Sequence, residues 1–142
     1  MAPAHLGVIL DSSILIEAER HHLNPAQFLK HPGEKIGNRE TALCSISVAE
    51  LANGIHRADT VQRRQARRAF LDDLKATLMV YPITAETAEV VGKINAEAAQ
   101  QGITIPFDDL LIGACALEHG YGIVTRNTRH FEKIPGLTLV SF

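Results

Sequence analysis

Asp11 stands at the end of the apolar run Val8-Ile9-Leu10 and is followed at once by Ser12 and Ser13. The layout returns late in the chain, where Asp109 opens an apolar helix that leads to Ile123-Val124-Thr125 and then Asn127. Between them lies Ser47-Val48-Ala49-Glu50. When strands alternate with helices, strand ends and helix starts collect along one edge of the sheet, so acids remote in sequence meet there. Clustered carboxylates repel each other unless a cation sits among them. Their hard oxygens suit Mg²⁺ or Mn²⁺. The chemistry these residues offer is that of a divalent metal.

Each acid also has a plain structural use. Asp is a favoured helix N-cap, but Ser12 or Ser13 caps equally well and frees Asp11. Ser47-x-x-Glu50 matches the capping box, in which the glutamate reaches back to the cap residue; spacing alone favours that use, and a carboxylate has lone pairs for a second. Asp108 and Asp109 both complement a helix dipole. Neighbours on a helix point about 100° apart, so the two cannot face one site equally; Leu110, Leu111, Ala114 and Leu117 mark the buried side without settling which acid turns inward. Asn127 serves as readily in a turn. Arg126 and Arg129 are either surface charges or bidentate phosphate partners. His130, beside Phe131, reads more readily as a packed turn residue than as a ligand. Arg63, Arg64, Arg67 and Arg68 form either a solvated helix face paired in part to Asp72 and Asp73, or a patch for RNA or an acidic partner segment.

The elements that must position these groups follow from periodicity and breakers. Strands are expected at 6–10, 42–46, 78–81, 122–125 and 137–140. Helices are expected at 12–19, from Pro25 to 29, from a Ser47 cap toward His56, at 60–76, from a Thr84 cap to 101 and at 108–119, with a helical turn at 127–131. Residues 31–39 read as a loop. Short strands alternating with helices argue for an α/β fold with a parallel sheet covered on both faces.

The 142 residues suit a single domain, 1–142, and 46% apolar content supports a real core. A net charge of −2, from 14 basic and 16 acidic residues, is not that of a protein that coats nucleic acid. It does not exclude RNA, because a bound metal adds positive charge where it matters. Cys44 and Cys115 read as reduced buried thiols of a cytoplasmic protein. The start, Met1-Ala2-Pro3-Ala4-His5, lacks the basic-then-apolar pattern of a signal peptide, and no stretch is long enough to span a membrane. There is no phosphate-cradling glycine loop, no zinc spacing and no G-x-S-x-G elbow.

Taken in order, the motifs resemble the PIN-domain family, and most closely its VapC-type toxins of bacterial toxin–antitoxin pairs. Val8-Ile9-Leu10-Asp11-Ser12-Ser13 is similar to the family's opening strand and D-[TS]-[NS] motif, and Ser47-Val48-Ala49-Glu50-Leu51 with Gly54 to its S-x-x-E-L-x-x-G segment. Asp109-Leu110-Leu111-Ile112-Gly113 and Val124-Thr125-Arg126-Asn127 through Phe131 continue the match, which covers nearly the whole chain. The resemblance implies a three-layer α/β/α fold with a central parallel sheet of four to five short strands. It implies a Mg²⁺- or Mn²⁺-dependent endoribonuclease whose metal ligands are Asp11, Asp109 and Glu50. Asp109 aligns with the family's acid and Asp108 is its flank. Asn127 stands where many relatives carry a fourth acid, which puts a second metal ion in doubt. Ser13, Thr125 and Arg126 fall where waters and substrate phosphates are handled. Implied partners are an RNA of the transfer or ribosomal class, a VapB-type antitoxin and a second copy of the chain, with a larger assembly in the antitoxin complex.

Two other classes compete. A phosphoacceptor or phosphatase domain also places an Asp at a strand end beside Mg²⁺. A receiver would want a late lysine and a paired acid cluster, and a phosphatase of this type D-x-D, where this chain has Ser13. A module that binds RNA or a partner without cutting is the second, suggested by the neutral Asn127.

Overall fold

The computed structural model describes residues 7–24 and 40–141. The short helix and loop expected at 25–39 lie outside the described residues. Five strands, β1 (Gly7–Leu10), β2 (Glu40–Cys44), β3 (Met79–Tyr81), β4 (Tyr121–Thr125) and β5 (Leu139–Ser141), form one sheet in the order β3-β2-β1-β4-β5. Every neighbouring pair is parallel. Helices α1 (Ser12–Arg20), α2 (Ser45–His56), α3 (Val61–Thr77), α4 (Ala85–Gln100) and α5 (Phe107–His119), with the turn α6 (Thr128–Phe131), connect them.

Alternation along β1 sorts the layers, because successive side chains of a strand point to opposite faces. Val8 and Leu10 pack with Ile14, Leu15 and Ala18 of α1 and Phe70 and Leu74 of α3. Ile9 packs on the other face with Val91 and Ile94 of α4 and Ile112 and Ala116 of α5. Both faces of the sheet are therefore covered, the arrangement a parallel sheet requires. Cys44 and Cys115 are free, buried thiols in that second layer.

The chain builds β1, β2 and β3 outward in one direction, then crosses back to place β4 on the other side of β1. The crevice beyond the carboxyl ends of β1 and β4 is thus the topological switch point, where open α/β sheets bind ligands. Asp11 and Thr125 stand at its two lips, and the Asp11 N–H donates to the Val124 carbonyl at 3.0 Å.

Local chemistry sets the helix ends. The Thr60 hydroxyl accepts from the Arg63 N–H at 3.1 Å, and Thr84 and Thr87 form a capping box. Gly120 closes α5 in the left-handed region, φ 70°, where glycine bears no Cβ penalty. The expected Ser47 cap is corrected. Cys44 occupies the cap position, α2 starts at Ser45, and Ser47 lies buried within the first turn, where its oxygen caps nothing. The reason is that β2 runs straight into α2, so the extended backbone a cap needs falls on Cys44, φ −91° and ψ 146°.

Gly7 is required by close approach. A Cβ built there would lie 2.5 Å from the Glu40 carbonyl oxygen and 2.9 Å from the Tyr121 ring, whereas one at Gly54 in α2 would meet nothing. Gly7→Ala is expected to lose about 1–3 kcal/mol by overpacking, and Gly54→Ala to gain about 0.5–1 kcal/mol from its helical position. Urea unfolding midpoints check both; equal effects of one sign would contradict this packing.

Candidate active site

Asp11 is 2% exposed, a costly place for a carboxylate without donors. It occupies the N-cap position of α1 but makes no side-chain cap bond. Its Oδ2 instead accepts from the hydroxyl of Ser13 at 2.7 Å and of Thr125 at 2.8 Å. Each hydroxyl in turn accepts a backbone N–H from the segment after β4: Arg126 N–H to Ser13 Oγ at 3.1 Å, and Asn127 N–H to Thr125 Oγ1 at 2.9 Å. An ionised carboxylate only accepts, so in both short bonds the hydroxyl donates, in preference to the 3.4 Å approach of the two hydroxyls to each other. Among the described residues no donor reaches Asp11 Oδ1, which leaves that oxygen for a cation.

Glu50 sits in the middle of α2. Because Ser47 does not cap, no capping box holds this glutamate, and its Oε1 is buried with no partner among the described residues. Burial pushes its carboxyl from 4.5 up to about 6, reinforced by Asp108, Asp11 and Asp109 and opposed by a hydrogen bond from Ser12. Asp109 is likewise raised, first by burial and then by Asp11 and Asp108, while His130 opposes the rise. The three expected acids therefore share one electrostatic neighbourhood. Asp108 is exposed on the rim, whereas the Asp109 side chain is 14% exposed.

Asp109 Oδ2 lies 2.7 Å from His130 Nδ1. His130, expected only to pack in its turn, thus touches a candidate site acid. Its adjacency to the buried Phe131 is the signal that a rigid turn would place it. The guanidinium of Arg126 is held by Glu17, with Nε to Oε2 at 2.6 Å and Nη2 to Oε1 at 3.0 Å, so a phosphate would compete with Glu17 for it. Asn127 is exposed and makes no side-chain cap bond. With Arg126, Thr128, Arg129 and His130 it lines a cavity of about 220 Å³.

Among the described residues, no three His, Cys, Asp or Glu side chains already meet as a ligand cluster. The donor chemistry nevertheless fits a divalent ion: acceptor-only oxygens, one orphaned in the interior, and two carboxyls whose affinity for protons is raised by burial and by neighbouring acids.

Beside Glu50, between α1, α2 and α3, Ile16, Leu51 and Phe70 with Arg20 and Arg67 line a cavity of about 210 Å³. Arg67 is anchored by the Gly54 carbonyl at 2.7 Å and Arg68 approaches Asp72 at 3.6 Å, one of the pairs expected along α3; Arg63 pairs with Asp59 instead. Among the described residues no helix is long and apolar enough to cross a membrane.

Comparison with known proteins agrees with this geometry. The PIN-domain family matches residues 8–137. Ribonuclease VapC1 of Rickettsia felis is 30% identical over 136 residues, 96% of each chain. The tRNA(fMet)-specific endonuclease VapC of Shigella flexneri is 33% identical over 105 residues, 73% of this chain and 78% of the relative. The crystal structure of Rickettsia felis VapBC2 bound to a promoter DNA fragment contains a chain that superposes with a TM-score of 0.81 at 26% identity, covering 95% of this chain and 98% of that one.

The raised Glu50 carboxyl fixes the sign of a pH effect. Its folded pKa lies above its ordinary value, so its contribution to stability is present below 4.5 and is lost as pH rises through about 6. In EDTA, the urea midpoint of the wild type is expected to fall relative to that of Glu50→Gln across this interval. Parallel pH profiles for the two proteins would contradict the buried, repelled carboxylate.

Proposed function

The chain belongs to the PIN-domain family, and on that footing we propose that it is a metal-dependent endoribonuclease, the toxin of a toxin–antitoxin pair. The carrying observation is the set of acids at the sheet's switch point, with Asp11 Oδ1 and Glu50 Oε1 left without donors among the described residues. Asp11 and Asp109 are assigned as ligands of Mg²⁺ or Mn²⁺, with Glu50 completing the set directly or through water. Once bound, the ion supplies Lewis-acid stabilisation of phosphoryl charge and lowers the pKa of an attacking water.

This chain's own residues do the rest. Ser13 and Thr125 hold Asp11 with one oxygen engaged and the other presented. Glu50 Oε1 is placed to accept a hydrogen bond from a water, in a site dry enough to strengthen that bond. Arg129 and Asn127, in the cavity beside His130, offer a cation and an amide to the backbone of a single-stranded RNA. Arg126 contributes its N–H to the Ser13 hydroxyl, and its guanidinium reaches phosphate only by leaving Glu17.

The cavity beside Glu50, with Arg20 and Arg67 and with Glu19 3.7 Å from Arg67, suits an antitoxin segment with an apolar anchor and an acidic group that competes with Glu19 for Arg67. A transfer or ribosomal RNA loop as substrate, a cytoplasmic setting, a homodimer and a single domain over 1–142 complete the proposal. They are supported by the family and, for transfer RNA, by the named activity of the Shigella relative.

Incubation of the purified protein with total RNA tests the reading. Mg²⁺ should give site-limited cleavage and EDTA should abolish it. Asp11→Asn and Asp109→Asn should each reduce the rate by ~100-fold or more, the scale set by losing several kcal/mol of charge stabilisation. Unchanged cleavage in either variant overturns the assigned site, and RNA binding without cleavage would favour the non-catalytic module.

A further inference from the structure

The His130–Asp109 contact is placed by packing rather than by chance. Asp109 lies in the first turn of α5, and Gly113 lies four residues on, on the same face of the helix. A Cβ at Gly113 would come within 2.5 Å of Ile134 Cδ1, so Ile134 occupies the groove that the missing side chain leaves. Phe131 is 0% exposed in the same core layer. The segment is bound together by the Glu132 N–H to Thr128 carbonyl and Ile134 N–H to Phe131 carbonyl bonds, at 2.9 and 3.0 Å. Two buried side chains thus key the 128–134 segment to α5, and His130, one residue before the Phe131 anchor, arrives over Asp109.

The imidazole is 44% exposed and the carboxylate beneath it 14%. An ionised carboxylate only accepts, so Nδ1 carries the proton of the 2.7 Å bond whatever the charge of the ring. Asp11 shows the same device: one oxygen saturated by protein donors, the other left over. A carboxylate held at one oxygen is restrained in rotation and presents its other oxygen in a fixed direction.

We propose that His130 is a positioning residue for the metal: its Nδ1–H fixes Asp109 Oδ2 so that Oδ1 alone faces the ion. The inference rests on the metal-dependent reading above and adds a residue to it. Partners that orient metal ligands in this way typically contribute about 10–100-fold in metal affinity.

The test is Mn²⁺ affinity of the RNA-free protein, read from the electron paramagnetic resonance of free Mn²⁺. The proteins are the wild type, His130→Ala, His130→Asn, and Asp11→Asn as a reference for a lost ligand. Asparagine places an amide N–H where Nδ1–H stands, without the rest of the ring. His130→Ala should weaken binding about tenfold or more, and His130→Asn should bind close to wild type. Thermal unfolding in EDTA separates a folding defect from a metal defect, because a folding defect lowers the metal-free midpoint of His130→Ala and a metal defect leaves it unchanged. Equal affinity of His130→Ala and wild type, or equal weakening by Ala and Asn, overturns the proposal. Wild type that binds no Mn²⁺, with Asp11→Asn no different, sinks the metal reading itself.

Discussion

Everything at this sheet edge depends on the buried carboxylate of Asp11 and on the two hydroxyls that orient toward it. The hydroxyls of Ser13 and Thr125 both donate to Asp11 Oδ2 while accepting the N–H groups of Arg126 and Asn127. The backbone just after β4 therefore dictates, through α1 and the end of β4, how a carboxylate at the end of β1 is presented. Asp11 is thus buried yet not spent on capping its helix, and the network exists because β4 lies against β1.

The second constraint is repulsion. Burial raises the proton affinity of Glu50 and Asp109; Asp108, Asp11 and Asp109 add to it at Glu50, and Asp11 and Asp108 at Asp109. A fold gains nothing from such an arrangement in the absence of a cation, and besides, the Glu50 oxygen has no partner among the described residues. Local rules are broken where function concentrates. Elsewhere the rules are kept, as in the capped starts of α3 and α4, the glycine closing α5, and alternation that covers both faces of β1.

Much of this was legible in the sequence. The apolar run Val8-Ile9-Leu10, the Thr84 cap and the Gly120 stop place their elements to within a residue or two. The five parallel strands follow from helices lying between them. The capping box at Ser47 and Glu50 was the misleading signal: a four-residue motif says nothing about where the preceding strand ends, and β2 ends three residues before Ser47, so that α2 has already begun. Which of Asp108 and Asp109 turns inward was not decidable from periodicity, since both lie in the first turn of α5; burial and the His130 bond distinguish them. The bond from His130 was hidden for a different reason. It is made across 21 residues and depends on Ile134 seating against Gly113, a tertiary fit without local periodicity.

The central claim is that the acids at the switch point form a divalent metal site. Mn²⁺ diffused into crystals of the protein, with an anomalous difference map calculated at the manganese edge, tests it most directly. The account predicts a peak within coordinating reach of Asp11 Oδ1 and the carboxylate of Asp109, on the side toward Glu50. A map with no peak there at saturating Mn²⁺, or with manganese bound only at another part of the surface, would contradict it.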